Sequence, residues 1–127
     1  MTHDFRRLAK DAARAAAEKK ALDILVLDLR AQSDVADYVV IASVESSAQM
    51  GAVEHSVKTG LEKAGLHRLH HDGRVGGRWI ALDYGPLLIH VMLPQAREFY
   101  RLESLWEKPK RVHWNEAAPR GAKAKIR

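Results

Sequence analysis

Cysteine is absent from this 127-residue chain, which removes a disulfide framework, a thiolate zinc site and a thiol nucleophile together. A reducing compartment is compatible with that absence and is not required by it. No apolar run approaches the ~18 residues of a membrane span, and the longest is interrupted by His90. The chain is expected to be soluble, without membrane contact. Met1 to Lys20 is rich in Arg, Lys and Ala, as transit peptides are, but it carries Asp4, Asp11 and Glu18 and lacks the apolar core of a secretory signal, so it reads as a folded helix. No phosphate-cradling loop of the Gly-x-x-x-x-Gly-Lys-Ser/Thr kind is present, because Gly73, Gly76 and Gly77 have no lysine-bearing helix start after them. No pair of aspartates spaced to share one strand face offers a magnesium clamp for phosphoryl or nucleotidyl transfer. These absences lower an enzymatic reading without excluding it. There is no internal repeat.

Charge is abundant and unevenly placed. Residues 1–107 hold 14 Lys/Arg against 15 Asp/Glu, whereas residues 108–127 hold seven Lys/Arg against Glu116 alone. The body is thus near neutral and the basicity sits in a tail. Such a body argues against a broad nucleic-acid-gripping face, and a detachable basic arm argues for work near a nucleic acid. The chain divides into one domain over residues 1–107 and a basic tail over 108–127, disordered on its own at least from Asn115 onward.

The organising stretch is Arg78 to Leu93, two strands joined by a tight Gly85-Pro86 turn. Alternation places Ile80, Leu82 and Tyr84 on one face of the first strand and Trp79, Ala81 and Asp83 on the other. The second run, Leu87 to Leu93, is apolar on both faces and belongs inside a sheet. Ahead of it, Asp4 caps a helix whose stripe is Phe5, Leu8, Ala12 and Ala15, with Arg6, Arg7, Arg14, Lys19 and Lys20 on a solvated face. Leu22 to Leu29 reads as a buried strand, and Asp37 to Ala42 as the next, antiparallel to it because the connection is short. Ser46 and Gln49 form a capping box for a second helix with Met50, Val53, Val57 and Leu61 on its buried stripe and Gly65 at its end. Leu66 to His71 is a short edge strand. Pro94 opens a helical turn through Tyr100, with Leu102, Leu105 and Trp106 packing back.

Three histidines, His67, His70 and His71, with Asp72 and His55, suggest zinc, but neighbouring His70 and His71 point to opposite faces of a strand and cannot easily serve one tetrahedral site. No metal site is expected. His90, amid apolar strand residues, reads as a core histidine donating to a neighbour; a general-base role lacks an identifiable nucleophile.

The segments Ala36-Asp37-Tyr38-Val39-Val40-Ile41-Ala42-Ser43, Trp79-Ile80-Ala81-Leu82-Asp83-Tyr84-Gly85, Ile89-His90-Val91-Met92, Arg97-Glu98-Phe99-Tyr100, Leu102-Glu103 and Leu105-Trp106 together resemble the ribosomal silencing factor family, also called Iojap-like. The resemblance runs from about Asp4 to Trp106, and the family carries no general counterpart of the basic tail. At the entry to the second helix, a Gly-Thr-Ser segment and a following Arg are usual in the family; here Val44, Glu45, Ser46 and Ala48 stand there, so the cap survives and the arginine contact does not. The resemblance implies an α/β (α+β) fold, a mixed β-sheet flanked by helices and nucleotidyltransferase-like without the catalytic residues. It implies a cytoplasmic repressor of translation that binds the large ribosomal subunit through that subunit's ribosomal protein fourteen and blocks joining of the small subunit. On this reading there are no catalytic residues and no cofactor, and the partner interface is Arg78, Trp79, Ala81, Asp83 and Tyr84. An indole and a carboxylate on one strand face suit a basic ribosomal protein. A nucleotidyltransferase-like enzyme and an RNA-binding module acting through the tail are the alternatives; ribosomal RNA contact by the tail and a homodimer stay open.

Overall fold

The computed structural model describes residues 3–74 and 76–115. Helix α1 (Phe5–Glu18) starts where Asp4 accepts the Arg7 amide at 3.1 Å, satisfying one of the helix's orphan donors. Its buried stripe is Leu8, Ala9, Ala12, Ala13 and Ala16, while Phe5 and Ala15 are only half-buried. The stripe is therefore turned relative to the one expected from periodicity. Methyl-sized side chains let α1 lie close to α2 (Ser47–Lys63), where the Ser56 hydroxyl donates to the Ala15 carbonyl at 3.1 Å. The cap of α2 is built as expected at Ser46, which accepts the Gln49 amide at 3.1 Å, but Gln49 Oε1 reaches back one residue further, to the Glu45 amide at 2.7 Å. Met50, Val53, Val57 and Leu61 are all buried. Gly65 ends the helix at φ +85, a conformation that a side chain would strain.

The six strands are β1 (Leu22–Asp28), β2 (Tyr38–Ser43), β3 (His70–Asp72), β4 (Trp79–Asp83), β5 (Leu87–Met92) and β6 (Lys110–Arg111), in the order β3-β4-β5-β2-β1-β6. Only β2 and β5 run parallel; the other pairs are antiparallel. These two central strands are the apolar ones, as strands covered on both faces must be, and every residue of β2 is buried. The β4–β5 hairpin turns at Gly85, φ +85, whose amide is held by the Asp83 carboxylate at 2.8 Å. In β1 the expected burial holds only from Val26 onward. Leu22 is 50% exposed, and the register slips between Leu22 and Leu25, where Asp23 takes a positive φ.

One sheet face, formed by Val26, Tyr38, Val40, Ala42, Ile80, Leu82, Tyr84, Leu87, Ile89 and Val91, is closed by α1 and α2. The other carries Leu27, Val39, Ile41 and Met92 and is closed only in part, by Ala96 of α3 (Pro94–Tyr100) and by Leu102 and Trp106 beyond it. Leu105, expected to pack, is exposed. The mixed sheet flanked by helices is thus as expected. No described helix is long and apolar enough to cross a membrane.

The boundary after residue 107 falls too early. Lys110 and Arg111 pair with Asp28 and Leu27, the Val112 amide donates to the Val26 carbonyl at 2.8 Å, and the Trp114 indole donates to the Ile24 carbonyl at 3.2 Å. Val112 is buried in the helix-side core with Trp114 packed against it. The first part of the basic tail is therefore sheet edge; its remainder, residues 116–127, lies outside the described residues. Ending the chain after Glu107 should lower the unfolding free energy by about 3 kcal/mol, read from the urea midpoint. An unchanged midpoint would refute the structural role of this edge.

Candidate interaction face

Among the described residues helical cover stops short, which leaves the β4 end of the second sheet face open. Trp79, Ala81 and Asp83 of β4 and Leu88 and His90 of β5 are each half-buried there, with Ala81 opposite His90 and Asp83 opposite Leu88. Trp79 is held rigidly. Its ring packs against the second core cluster and its Nε1 donates to His90 Nδ1 at 3.0 Å. The expected direction of the histidine bond is thus reversed: His90 accepts. Burial pushes the imidazole from its ordinary 6.5 down to about 4, so it is neutral near pH 7 and free to accept at Nδ1.

Helix α3 extends this surface with rings. The Tyr100 ring lies 4.7 Å from that of Trp79, and Phe99 meets Tyr100 edge-on at 4.9 Å. Phe99 is 79% exposed and Tyr100 52%. What holds α3 there is Arg97, whose guanidinium donates to the Ser43 hydroxyl at 2.8 Å and to Glu103 at 3.4 Å. Arg101 then adopts φ +47 and ends the helix. The result is a row of aromatic surface with apolar faces and few free donors, suited to anchoring on a protein partner.

Of the expected interface residues, Trp79, Ala81 and Asp83 share this face and Arg78 is exposed at its margin. Tyr84 does not belong. It is 2% exposed and sits in the core between sheet and helices, on the face it shares with Ile80 and Leu82. Burial raises its phenol pKa. Asp83 keeps only part of its acceptor capacity, since Oδ1 is bound to the Gly85 amide. The sequence places Phe99 and Tyr100 in a helical turn and marks them for this face only by being two adjacent aromatics on a helix too short to bury both. Of the histidines considered for zinc, His71 meets Glu54 at 3.4 Å, and Glu54 is already paired with Arg68 at 2.9 Å. Among the described residues no three His, Asp or Glu converge on a metal position.

The buried imidazole makes a pH prediction with a fixed sign. Below pH 6.5 the unfolded chain binds a proton that folded His90 refuses until about pH 4. Stability should therefore fall as pH drops through that window, by up to about 3 kcal/mol, with no contribution above it. His90→Gln should flatten this part of the stability profile in chemical-denaturation series; an unchanged slope would show that His90 is protonated in the fold.

The chain is similar to known proteins over most of its length. The family "Ribosomal silencing factor during starvation" matches residues 2–126, and so extends through the tail expected to lie outside the resemblance. The chain is 32% identical over 108 residues to a ribosomal silencing factor of Chromobacterium violaceum, covering 84% of this chain and 88% of that protein. It is 32% identical over 92 residues to the mouse protein "Mitochondrial assembly of ribosomal large subunit protein 1", covering 70% of this chain and 40% of the mouse one. Among solved structures, a Chromobacterium violaceum protein superposes with a TM-score of 0.78 at 30% identity, covering 90% of this chain and 98% of that one. The chain belongs to the ribosomal silencing factor family.

Proposed function

We propose that this protein binds the large ribosomal subunit through its ribosomal protein fourteen, blocks joining of the small subunit and so represses translation, as a non-catalytic cytoplasmic factor. The observation that carries the reading is the open sheet face in a chain of this family: Trp79, Ala81 and Asp83 flanked by Tyr100 and Phe99. A half-exposed aromatic row on a rigid strand is the kind of anchor that concentrates binding energy in protein interfaces. The name of the mouse relative supports the choice of subunit. Repression then needs no chemistry, because a bound body at the joining surface excludes the small subunit by volume alone.

Trp79 and Phe99 should behave differently on replacement. Phe99 is exposed, so Phe99→Ala should leave the thermal melt unchanged and weaken binding to purified large subunits by about 1–2 kcal/mol. Trp79→Ala should weaken it by about 2–4 kcal/mol, with some loss of stability because His90 loses its donor. Tyr84→Phe should bind as well as the parent. In a subunit-joining assay the parent protein should raise the fraction of free subunits, and Trp79→Ala should not. Full inhibition by Trp79→Ala would contradict the assignment of this face.

A further inference from the structure

On the far edge of the sheet from β4, basic side chains gather round one carboxylate. Asp28 is 8% exposed and takes both oxygens to Arg30, Nε to Oδ1 at 3.0 Å and Nη2 to Oδ2 at 2.8 Å, with Arg6 of α1 at 3.7 Å. Lys110 lies directly across from Asp28 in the β1–β6 ladder, and Lys108 is fixed by φ +50 and by Gln32, which donates to its carbonyl at 3.4 Å. Asp28, Arg30, Ala31, Gln32, Lys108 and Lys110 line an open groove of about 340 Å³. Arg6, Arg30, Lys108 and Lys110 stand here against Asp28, with Asp37 acting on Arg30, in a body whose first 107 residues are near neutral.

We propose that this edge, through Arg30, Lys108 and Lys110, docks the phosphodiester backbone of RNA. The inference rests on the ribosomal reading and adds to it a second contact. Arg30 has five N–H donors, of which two are spent on Asp28; the rest are available to a phosphate, which guanidinium geometry fits. The groove lining has no large apolar side chain. A protein partner would need an aromatic or aliphatic anchor there, whereas a sugar-phosphate backbone offers charge without one. The ion pair also holds Arg30 in place before binding, which spares part of the ordering entropy. Four strand steps separate β4 from β6, about 19 Å at the usual spacing, so the aromatic face and the basic edge can be occupied together. The sequence beyond residue 115 brings Arg120, Lys123, Lys125 and Arg127 against Glu116 alone, the same charge sign.

The test compares the full-length chain with its Lys108→Gln/Lys110→Gln variant for binding to a fluorescent RNA hairpin across a KCl series. Both lysines are exposed, so the variant should melt as the parent does. Its plot of log affinity against log salt should be shallower by about 1.5–2 units, and its affinity at low salt weaker by roughly tenfold. Lys108→Arg/Lys110→Arg should restore both. Trp79→Ala should bind the hairpin normally while losing the large subunit. Should the parent fail to bind subunits while the lysine variants still change the hairpin slope, the subunit reading falls and the basic edge stands. Equal slopes for parent and Gln variant would overturn the proposal, as would a polyglutamate peptide binding as tightly as the hairpin with the same salt dependence.

Discussion

A sheet has two faces to cover, and the described residues carry enough helix to close one of them and part of the other. That constraint shapes the rest of the molecule. Its centre is the parallel pair of β2 and β5, apolar on both sides, and α1 with α2 close one side completely. On the second side the only cover among the described residues is seven-residue α3 and the turn after it. Each buried Val, Ile or Leu on the closed areas contributes about 1.5–3 kcal/mol, so the fold is anchored by the middle strands. The β4 end can then remain uncovered without losing the core. Exposed rings, Phe99 and Tyr100, then stand beside this face on a stable scaffold.

The open region is kept from collapsing by polar contacts of specific geometry. The Trp79 indole would pay for burial with an orphan N–H had His90 not been neutral and able to accept it. Arg97 does similar work from the other side, tying α3 to Ser43 of β2 so that Phe99 and Tyr100 stand beside Trp79. Binding energy at such a face is not spent on ordering it first.

How far the sequence told this in advance depended on how local the cause was. The cap at Ser46, the buried stripe of α2 and the Gly85 turn were legible because each is decided within a few residues. So was the division of β4 into two faces, which already put Tyr84 with Ile80 and Leu82; its place among the interface residues disregarded that alternation. In α1, many alanines of equal size blurred the periodicity, and the stripe turned. The edge strand β6 was invisible: two residues, Lys110 and Arg111, have no strand signature, and what holds them is pairing with Asp28 and Leu27 plus burial of Val112, contacts some eighty residues distant in sequence. Basic composition there suggested a free arm, whereas Lys110 is mounted on the sheet and Lys108 stands just before it, held through Gln32.

The claim that the open β4 face meets the large subunit is tested most directly by site-specific photo-crosslinking. A crosslinker placed at Ala81, on that face, should capture ribosomal protein fourteen from purified large subunits, and one at Thr59, beside the groove between α1 and α2, should not. Capture from Thr59 alone, or an Ala81 adduct to any other component, would contradict the account.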